Sequence, residues 1–391
     1  MIKRGIATFG LDYGKCPKWL FDRMVKLGSE VIEIIVAEYG PNEFIKRLGD
    51  PVWFQSLGTV LAFDWNASGL TTILTAALKE AVRRREREFG LFICGGKGKT
   101  SLKTPDEIRN YSGQIGLNAR QSDSLVYNSK MAAKVDSSLV QDGYAIYHHA
   151  FFFSNPPDGQ VAWTVVQQGM NAGNQTARRY HWHSAKVADL VCEPHSGISS
   201  QLLAPTLDLT AQTSGKNRGI SAELVSGSYR GLMKDIQILR KHSSGLSQMV
   251  KVKKGQGELT LLNLETKEFK WHPVANEDFS KSKYLDKILY KACENKPENY
   301  EKLVALEGVG AKTIRALSLV AEMIYGAEPS YIDPARYSFA HGGKDATPYP
   351  VDRPTYDSTI EFFSKVIRMM KKTGPAEKNQ MMGRLNKVGV L

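Results

Sequence analysis

Two aromatic and β-branched segments separated by a short turn constrain the fold of this chain more than any other feature. Residues 144–154 and 160–169 each have the length and composition of a buried strand. The intervening residues 155–159, Asn-Pro-Pro-Asp-Gly, place proline and glycine where a tight turn requires them. We therefore predict a β-hairpin in the middle of the chain.

Helix and strand patterns alternate before this hairpin. Residues 15–50 and 71–89 carry apolar side chains at helical spacing, whereas residues 58–64 and 91–94 have the pattern of short buried strands. A glycine-rich turn, residues 95–100, follows the second of these strands. The alternation predicts an α/β N-terminal domain built on a mixed sheet.

The pattern after the hairpin becomes helical. Residues 224–239 have helical spacing, and short strands are expected within residues 246–275. We place the domain boundary near residue 276. The prediction is an α/β catalytic domain at residues 1–275 and an all-α DNA-binding domain at residues 276–391.

The charge of the chain favours an anionic partner. Lysine and arginine exceed aspartate and glutamate by 12, and the isoelectric point is about 9.3, so DNA is the first expectation. No apolar stretch is long enough for a membrane span, and no export signal is expected. The four cysteines form no CxxC pair, which predicts a reduced, cytoplasmic protein. Self-association into a homodimer is left open.

A glycine-containing motif in the C-terminal part resembles the helix-hairpin-helix motif of DNA repair proteins. Its core runs from Leu306 to Leu317 within residues 300–326. The glycines allow a tight reversal, and the free N–H groups of the second helix favour a phosphate. Such a contact reads the DNA backbone and not its sequence. The predicted DNA-binding residues of the motif are Gly308, Val309, Gly310, Lys312 and Thr313.

The same motif resembles the hairpin of base-excision DNA glycosylases. That resemblance implies a Schiff base formed by Lys312, assisted by the downstream acid Asp333. The sequence departs from the family pattern because Pro334 follows the acid. A glycosylase or lyase is therefore an alternative function.

Residues 130–195 are unusually rich in side chains that can do chemistry. Five of the eight histidines lie in this region, His195 being the last of them. Polar residues in apolar strands are costly unless they are hydrogen-bonded, so their concentration predicts a site. Side chains of adjacent strand residues point to opposite faces of a sheet. We therefore expect either His148 or His149 to share a face with Gln167 or Gln168. The candidate catalytic residues are His148, His149, Asp136, Asp142, Asp64, Lys134, Gln168, Asn171, His181 and His183.

Two chemistries fit these residues. In a metal-dependent phosphodiesterase, Asp64, Asp136, Asp142 and His149 would hold a divalent ion (Mg²⁺, Mn²⁺ or zinc) that activates water. Guanidinium and ammonium groups suit the phosphates in either chemistry. The candidates for that role are Arg178, Arg179, Lys97 and Lys99.

The metal-free chemistry rests on a resemblance to phospholipase D-like nucleases. In that family a histidine-bearing strand, a turn and a strand ending in Gly-Ser-x-Asn form the site, and the resemblance implies His149 as nucleophile and Asn171 as a phosphate ligand. Here Phe151 stands where that family has lysine, and Gln168 replaces the residue before the glycine.

Several motifs together resemble the archaeal and thermophilic-bacterial proteins of domain of unknown function 763. They are residues 63–70 (Phe-Asp-Trp-Asn-Ala-Ser-Gly-Leu), 95–100, 132–136, 141–144 and 167–171. The resemblance implies a thermophilic prokaryotic source and supplies no activity. The residues themselves favour a DNA-repair or DNA-processing nuclease that grips the DNA backbone with its C-terminal domain. A glycosylase or a non-catalytic DNA-binding protein are the alternatives.

Overall fold

The computed structural model describes residues 16–61, 67–156, 159–200, 202–242, 251–254, 257–260 and 283–337, together with Asp357, Ile360 and Glu361. Within these residues the helices, in chain order, are α1 (Lys18–Tyr39), α2 (Pro41–Leu48), α3 (Pro51–Val60), α4 (Ala67–Val82), α5 (Glu86–Phe89), α6 (Thr104–Gln114), α7 (Ala119–Ser138), α8 (Gly215–Ser226), α9 (Tyr229–His242), α10 (Lys283–Asn295), α11 (Tyr300–Ala305) and α12 (Ala311–Tyr325). The strands are β1 (Leu91–Lys97), β2 (Val140–Gln141), β3 (Ala145–Ser154), β4 (Trp163–Asn171), β5 (Thr176–His183), β6 (His195–Ser200), β7 (Leu207–Asp208), β8 (Lys251–Lys254) and β9 (Gly257–Thr260).

The predicted β-hairpin is confirmed and lies at the centre of a five-stranded sheet. The strand order is β1-β3-β4-β5-β6, and β3 pairs with β4 from Ala145↔Met170 to Phe153↔Trp163. The other pairings in this sheet are antiparallel as well. The mixed α/β content is as expected, but the sheet itself is antiparallel and not mixed. Short connections between β3, β4 and β5 explain this, because parallel neighbours need a long crossover.

The prediction of a strand at residues 58–64 is wrong for residues 58–61, which are the part of this segment that the structure describes. Gly58, Thr59 and Val60 belong to α3, while residues 62–66 lie outside the described residues. The helix is set by its start, where Asp50 accepts hydrogen bonds from the backbone N–H groups of the second and third helical residues at 2.7 and 3.3 Å. The apolar run therefore packs as a helix face. A Cβ on Gly58 would lie 2.5 Å from Leu70 Cδ1, so the glycine permits close contact with α4.

The sheet is covered on both faces, which explains its apolar strands. Phe152 and Val166 pack with side chains of α1–α4 on one face. Phe151, Phe153 and Val165 pack on the other face with α6, α7 and the C-terminal helices. Successive strand residues thus alternate between two separate interiors, and this alternation decides where each polar side chain of the sheet is placed.

The helical C-terminal part is confirmed, and α8 and α9 pack into the same apolar cluster as α10–α12. The predicted boundary near residue 276 lies outside the described residues. The four cysteines are free in this structure. Among the helices that the structure describes, none has the length and apolar character required to cross a bilayer.

Candidate functional site

The structure separates the histidines that the sequence places together. His148 Nε2 lies 3.1 Å from Thr75 Oγ1 of α4, whereas His149 Nε2 lies 2.9 Å from Ser129 Oγ of α7. The two adjacent imidazoles therefore point to opposite faces of β3, as the alternation predicts. A shared catalytic centre containing both is not formed.

His148, His181 and His183 all lie on the α1–α4 face, and their hydrogen bonds are those of structural histidines. His181 Nδ1 donates to the carbonyl oxygen of Leu48 at 2.9 Å, and His183 Nδ1 lies 3.1 Å from Thr164 Oγ1. Burial lowers the pKa of all three imidazoles, that of His148 to about 3. They are neutral at pH 7, so they carry no charge to bind phosphate.

A continuous chain of hydrogen bonds crosses the α7 face. Gln167 Oε1 accepts from His149 Nδ1 at 2.9 Å, which confirms the predicted pairing of one histidine with Gln167. Gln167 Nε2 in turn donates to Asp136 Oδ2 at 2.5 Å. Burial lowers the pKa of His149, and the hydrogen bond to Gln167 opposes this effect. The imidazole is thus neutral, with Nε2 accepting from the Ser129 hydroxyl.

Asp136 is fully buried and lies at the end of this chain. Its carboxylate also accepts hydrogen bonds from Trp182 Nε1, at 3.1 and 3.2 Å, and from His195 Nε2 at 2.6 Å. Three donors from β4, β5 and β6 therefore converge on one carboxylate of α7. Satisfied in this way, Asp136 orients the imidazole of His195.

His195 borders a cavity of about 520 Å³ between β6, β7 and the segment at residues 330–337. Nε2 is committed to Asp136, so Nδ1 is the ring nitrogen that faces away from that carboxylate. A neutral imidazole held this way can accept a proton at Nδ1. The polar side chains that line the cavity include Glu193, His195, Asp208, Thr210, Asp333 and Arg336.

Asp208 forms another wall of the same cavity. Its Oδ1 accepts from the N–H and the hydroxyl of Thr210 at 2.9 and 2.6 Å. Burial raises the pKa of this carboxyl, while the hydrogen bonds from Thr210 oppose the rise. Asp208 and His195 thus line one cavity, where the carboxyl can donate a proton and the imidazole can accept one.

Arg178 and Arg179 are buried and bonded within the protein. The guanidinium of Arg178 bridges Asp142 Oδ2 at 3.0 Å and Asp333 Oδ2 at 2.7 Å, and both carboxylates are almost completely buried. Arg179 donates to Gln55 Oε1 at 3.0 Å, and burial lowers its pKa to about 9. Neither guanidinium is placed to meet a phosphate at the surface.

The remaining predicted residues lie at several places. Lys134 Nζ donates to the Leu306 carbonyl oxygen at 2.5 Å, and burial lowers the pKa of this lysine. Gln168 donates to the hydroxyl of Tyr147, and Asn171 Oδ1 accepts from two backbone N–H groups of its own turn. Lys97 and Lys99 are exposed.

The structure gives no support for the predicted ion site in the part of the chain that it describes. No three His, Cys, Asp or Glu side chains are grouped there as metal ligands would be. Asp136 accepts only from protein donors, and Asp142 is bonded to Arg178, Tyr180 and the backbone N–H of Tyr144. Asp64 lies outside the described residues. The divalent ion stays a prediction.

The predicted glycine turn joins α11 to α12. Gly308 has φ +88°, a left-handed conformation that favours glycine. Gly310 occupies the N-cap position of α12, and no side chain caps that helix end. Lys312 is exposed in the first turn, whereas Thr313 is buried. The first N–H groups of α12 are thus the unsatisfied donors that an anion can bind.

Sequence reasoning did not select His195 and Asp208 as site residues. His195 belongs to the histidine-rich region, and its proximity in sequence to the acidic residue Glu193 could have identified it as a candidate site residue. Asp208 stands in an ordinary apolar context, and only its position across the cavity identifies it.

The comparison with protein families covers most of the chain. A model of the family described as "Protein of unknown function (DUF763)" matches residues 5–351, so the chain belongs to that family. No curated protein and no solved structure matches the chain.

Proposed function

We propose that this protein binds the sugar–phosphate backbone of DNA at the turn between α11 and α12. The observation that carries the proposal is Gly310. Its φ of −147° is accessible to any residue, and a Cβ built there meets nothing within 4 Å. The fold itself does not require glycine at this position, whereas a phosphate approaching the backbone does.

The surroundings of the turn support the same partner. Lys312 is exposed one residue after the start of α12, and Lys302 and Lys291 are partly exposed on the two preceding helices. The exposed carboxylate of Glu307 is paired with Lys291 at 3.2 Å, which offsets its repulsion of a phosphate. A helix N-terminus with neighbouring ammonium groups binds the backbone without reading bases.

The experiment measures DNA binding by fluorescence anisotropy with Gly310→Ala. We expect the affinity for duplex DNA to fall about tenfold, since one methyl group excludes the phosphate from the N–H groups. The stability should change by less than about 0.5 kcal/mol. Gly219→Ala in α8, where a Cβ also meets nothing within 4 Å, is the matched control. Equal affinity of the two variants would contradict the proposal.

We also propose that the bound DNA is cleaved as a phosphodiester, because a buried carboxylate–imidazole pair borders the cavity. In this scheme His195 Nδ1 takes a proton from water while its Nε2–H remains bonded to Asp136, and the resulting hydroxide attacks phosphorus. The Asp208 carboxyl gives its proton to the departing sugar oxygen, and Arg336 supplies positive charge at the cavity wall. Asp208 is then reprotonated from solvent, and the His195 imidazolium releases its proton from Nδ1 to solvent, which restores both groups.

Labelled single- and double-stranded DNA tests this second proposal. Cleavage should persist in EDTA and be lost in His195→Asn, while Lys186→Ala, an exposed change after β5, should cut at the wild-type rate. Cleavage that needs Mn²⁺ or Mg²⁺ would instead favour the divalent-ion chemistry of the phosphodiesterase. If the protein binds DNA but does not cleave it, the cleavage proposal fails and the alternative of a non-catalytic DNA-binding protein is supported.

The glycosylase alternative has its own test. Asp333 is engaged by Arg178 and by the backbone N–H of Ala204 at 3.0 Å, so its carboxylate serves the fold in this structure. Borohydride trapping of a covalent adduct on damaged DNA, lost in Lys312→Ala, would nevertheless support this alternative.

A further inference from the structure

The loop that follows β1 exposes three lysines and a leucine within seven residues. In this basic loop, residues 97–103, the side chains of Lys97, Lys99 and Lys103 are exposed. Leu102 lies among them with 78% of its surface accessible. An apolar side chain stabilises the folded state by being buried, so the exposed side chain of Leu102 contributes almost nothing to the stability of the fold.

The basic loop is held in one conformation by its own hydrogen bonds. It forms a 3-10 helix, Gly98–Lys103. Ser101 Oγ donates to the carbonyl oxygen of Gly98 at 2.6 Å, and Thr104 Oγ1 donates to that of Ser101 at 2.7 Å. Thr104 is buried, so the end of the loop is anchored to the core. The exposure of Leu102 is therefore a property of an ordered segment.

The basic loop and the α11–α12 turn lie at the same end of the five-stranded sheet. Lys97 pairs with His148 near the start of β3. Gln141, shortly before that strand, donates to the Ala311 carbonyl oxygen at 3.0 Å and accepts from Arg315 Nε at 2.5 Å. The segment at residues 141–148 thus contacts α12 at its first residue and β1 at its last.

We propose that the basic loop is a second DNA contact, in which the lysines bind phosphates and Leu102 inserts between bases. This inference rests on the proposed DNA binding at α12. An apolar wedge beside cationic groups is how proteins hold kinked or unstacked DNA, and its insertion costs least where bases are already unpaired. The preferred ligand is therefore DNA with unpaired or bulged bases, in preference to a regular duplex.

The test compares anisotropy on a regular duplex and on the same duplex with a two-base bulge. The wild type should favour the bulged DNA, and Leu102→Ala should bind it about tenfold less tightly with an unchanged salt dependence. Replacing Lys97, Lys99 and Lys103 by alanine should lower the slope of log affinity against log salt by about two to three. Val60→Ala, also an exposed aliphatic residue (57%), and Lys186→Ala are the matched controls.

The outcomes separate this inference from the function on which it rests. If the wild type binds no DNA at all, the proposed function fails, and the inference fails with it. If DNA binding is lost in Gly310→Ala while the loop variants match their controls, the loop proposal alone is overturned. Loop variants that lose binding to anionic vesicles, but bind DNA normally, would assign the basic loop to a membrane surface and overturn the proposal too.

Discussion

His195 Nε2 lies 2.6 Å from Asp136 Oδ1, and this contact joins β6 to the helix that covers the sheet. The carboxylate is fully buried, while the imidazole reaches the wall of a cavity. Because the Nε2–H is held by Asp136, Nδ1 is the nitrogen that can exchange a proton with a ligand. The strands and α7 thus fix the tautomer of the His195 imidazole within the folded protein.

Replacing this carboxylate should be costly. In Asp136→Asn one amide N–H₂ would face Gln167, Trp182 or His195, which are all donors to the wild-type side chain. We expect the free energy of unfolding to fall by about 2–3 kcal/mol, because buried donors lose their acceptor. Urea denaturation measures it. Asp106→Asn, at a side chain that is 87% exposed, should be neutral, and equal losses in the two variants would contradict the prediction.

The buried histidines should make the protein sensitive to acid. The pKa of His148 is lowered by burial from 6.5 to about 3, so the unfolded chain binds the extra proton between these values. The stabilisation is complete above pH 6.5 and is lost as the pH falls towards 3, by up to about 1.4 kcal/mol per pH unit for each such histidine.

His148→Gln isolates this effect, because glutamine does not titrate and can still donate to Thr75. Its unfolding free energy should depend less steeply on pH between 6.5 and 4 than that of the wild type. The buried carboxyls of Asp142 and Asp208, whose pKa values burial raises, work in the opposite direction in both proteins. Parallel pH curves for the two proteins would rule out a neutral, buried His148.

Removing the bridging guanidinium should unfold the cavity wall first. Arg178→Met leaves the buried carboxylates of Asp142 and Asp333 without their common partner. We expect a loss of about 3–5 kcal/mol in stability and faster proteolysis of residues 330–337, which Asp333 anchors. Arg83→Met, at an exposed pair with Glu80, should cost less than about 1 kcal/mol. An equally stable Arg178 variant would show that the bridge contributes nothing net.

The two glycines of the turn between α11 and α12 should respond differently to alanine. Gly308 has a positive φ, and its Cβ would lie 2.5 Å from Ile288 Cδ1. Gly308→Ala should therefore cost about 1–2 kcal/mol in thermal or urea unfolding. Gly310→Ala should unfold like the wild type. Similar stability losses in both would mean that Gly310 is needed by the fold, which would remove the main support for DNA binding there.

Short stretches of sequence were sufficient to predict the β3–β4 hairpin and the helices that flank the glycine turn. The hairpin of β3 and β4 followed from strand composition and a Pro-Pro-Asp-Gly turn, and the helices on either side of Gly308 and Gly310 followed from the resemblance of residues 306–317 to a helix-hairpin-helix motif. Residues 58–60 were mispredicted because the N-cap at Asp50 and the close packing of Gly58 against Leu70 outweigh a β-branched run. Local propensity is weak against such contacts.

The candidate site was decided only by the tertiary structure. Adjacent His148 and His149 are divided between two interiors, because neighbouring strand residues face opposite sides. Asp136 of α7 and His195 of β6 are 59 residues apart in the sequence. They meet because α7 packs on the sheet of which β6 is an edge strand. Composition could show that this region is rich in imidazoles and acids. Which of them share a hydrogen bond depends on strand register and helix packing, which no short stretch of sequence encodes.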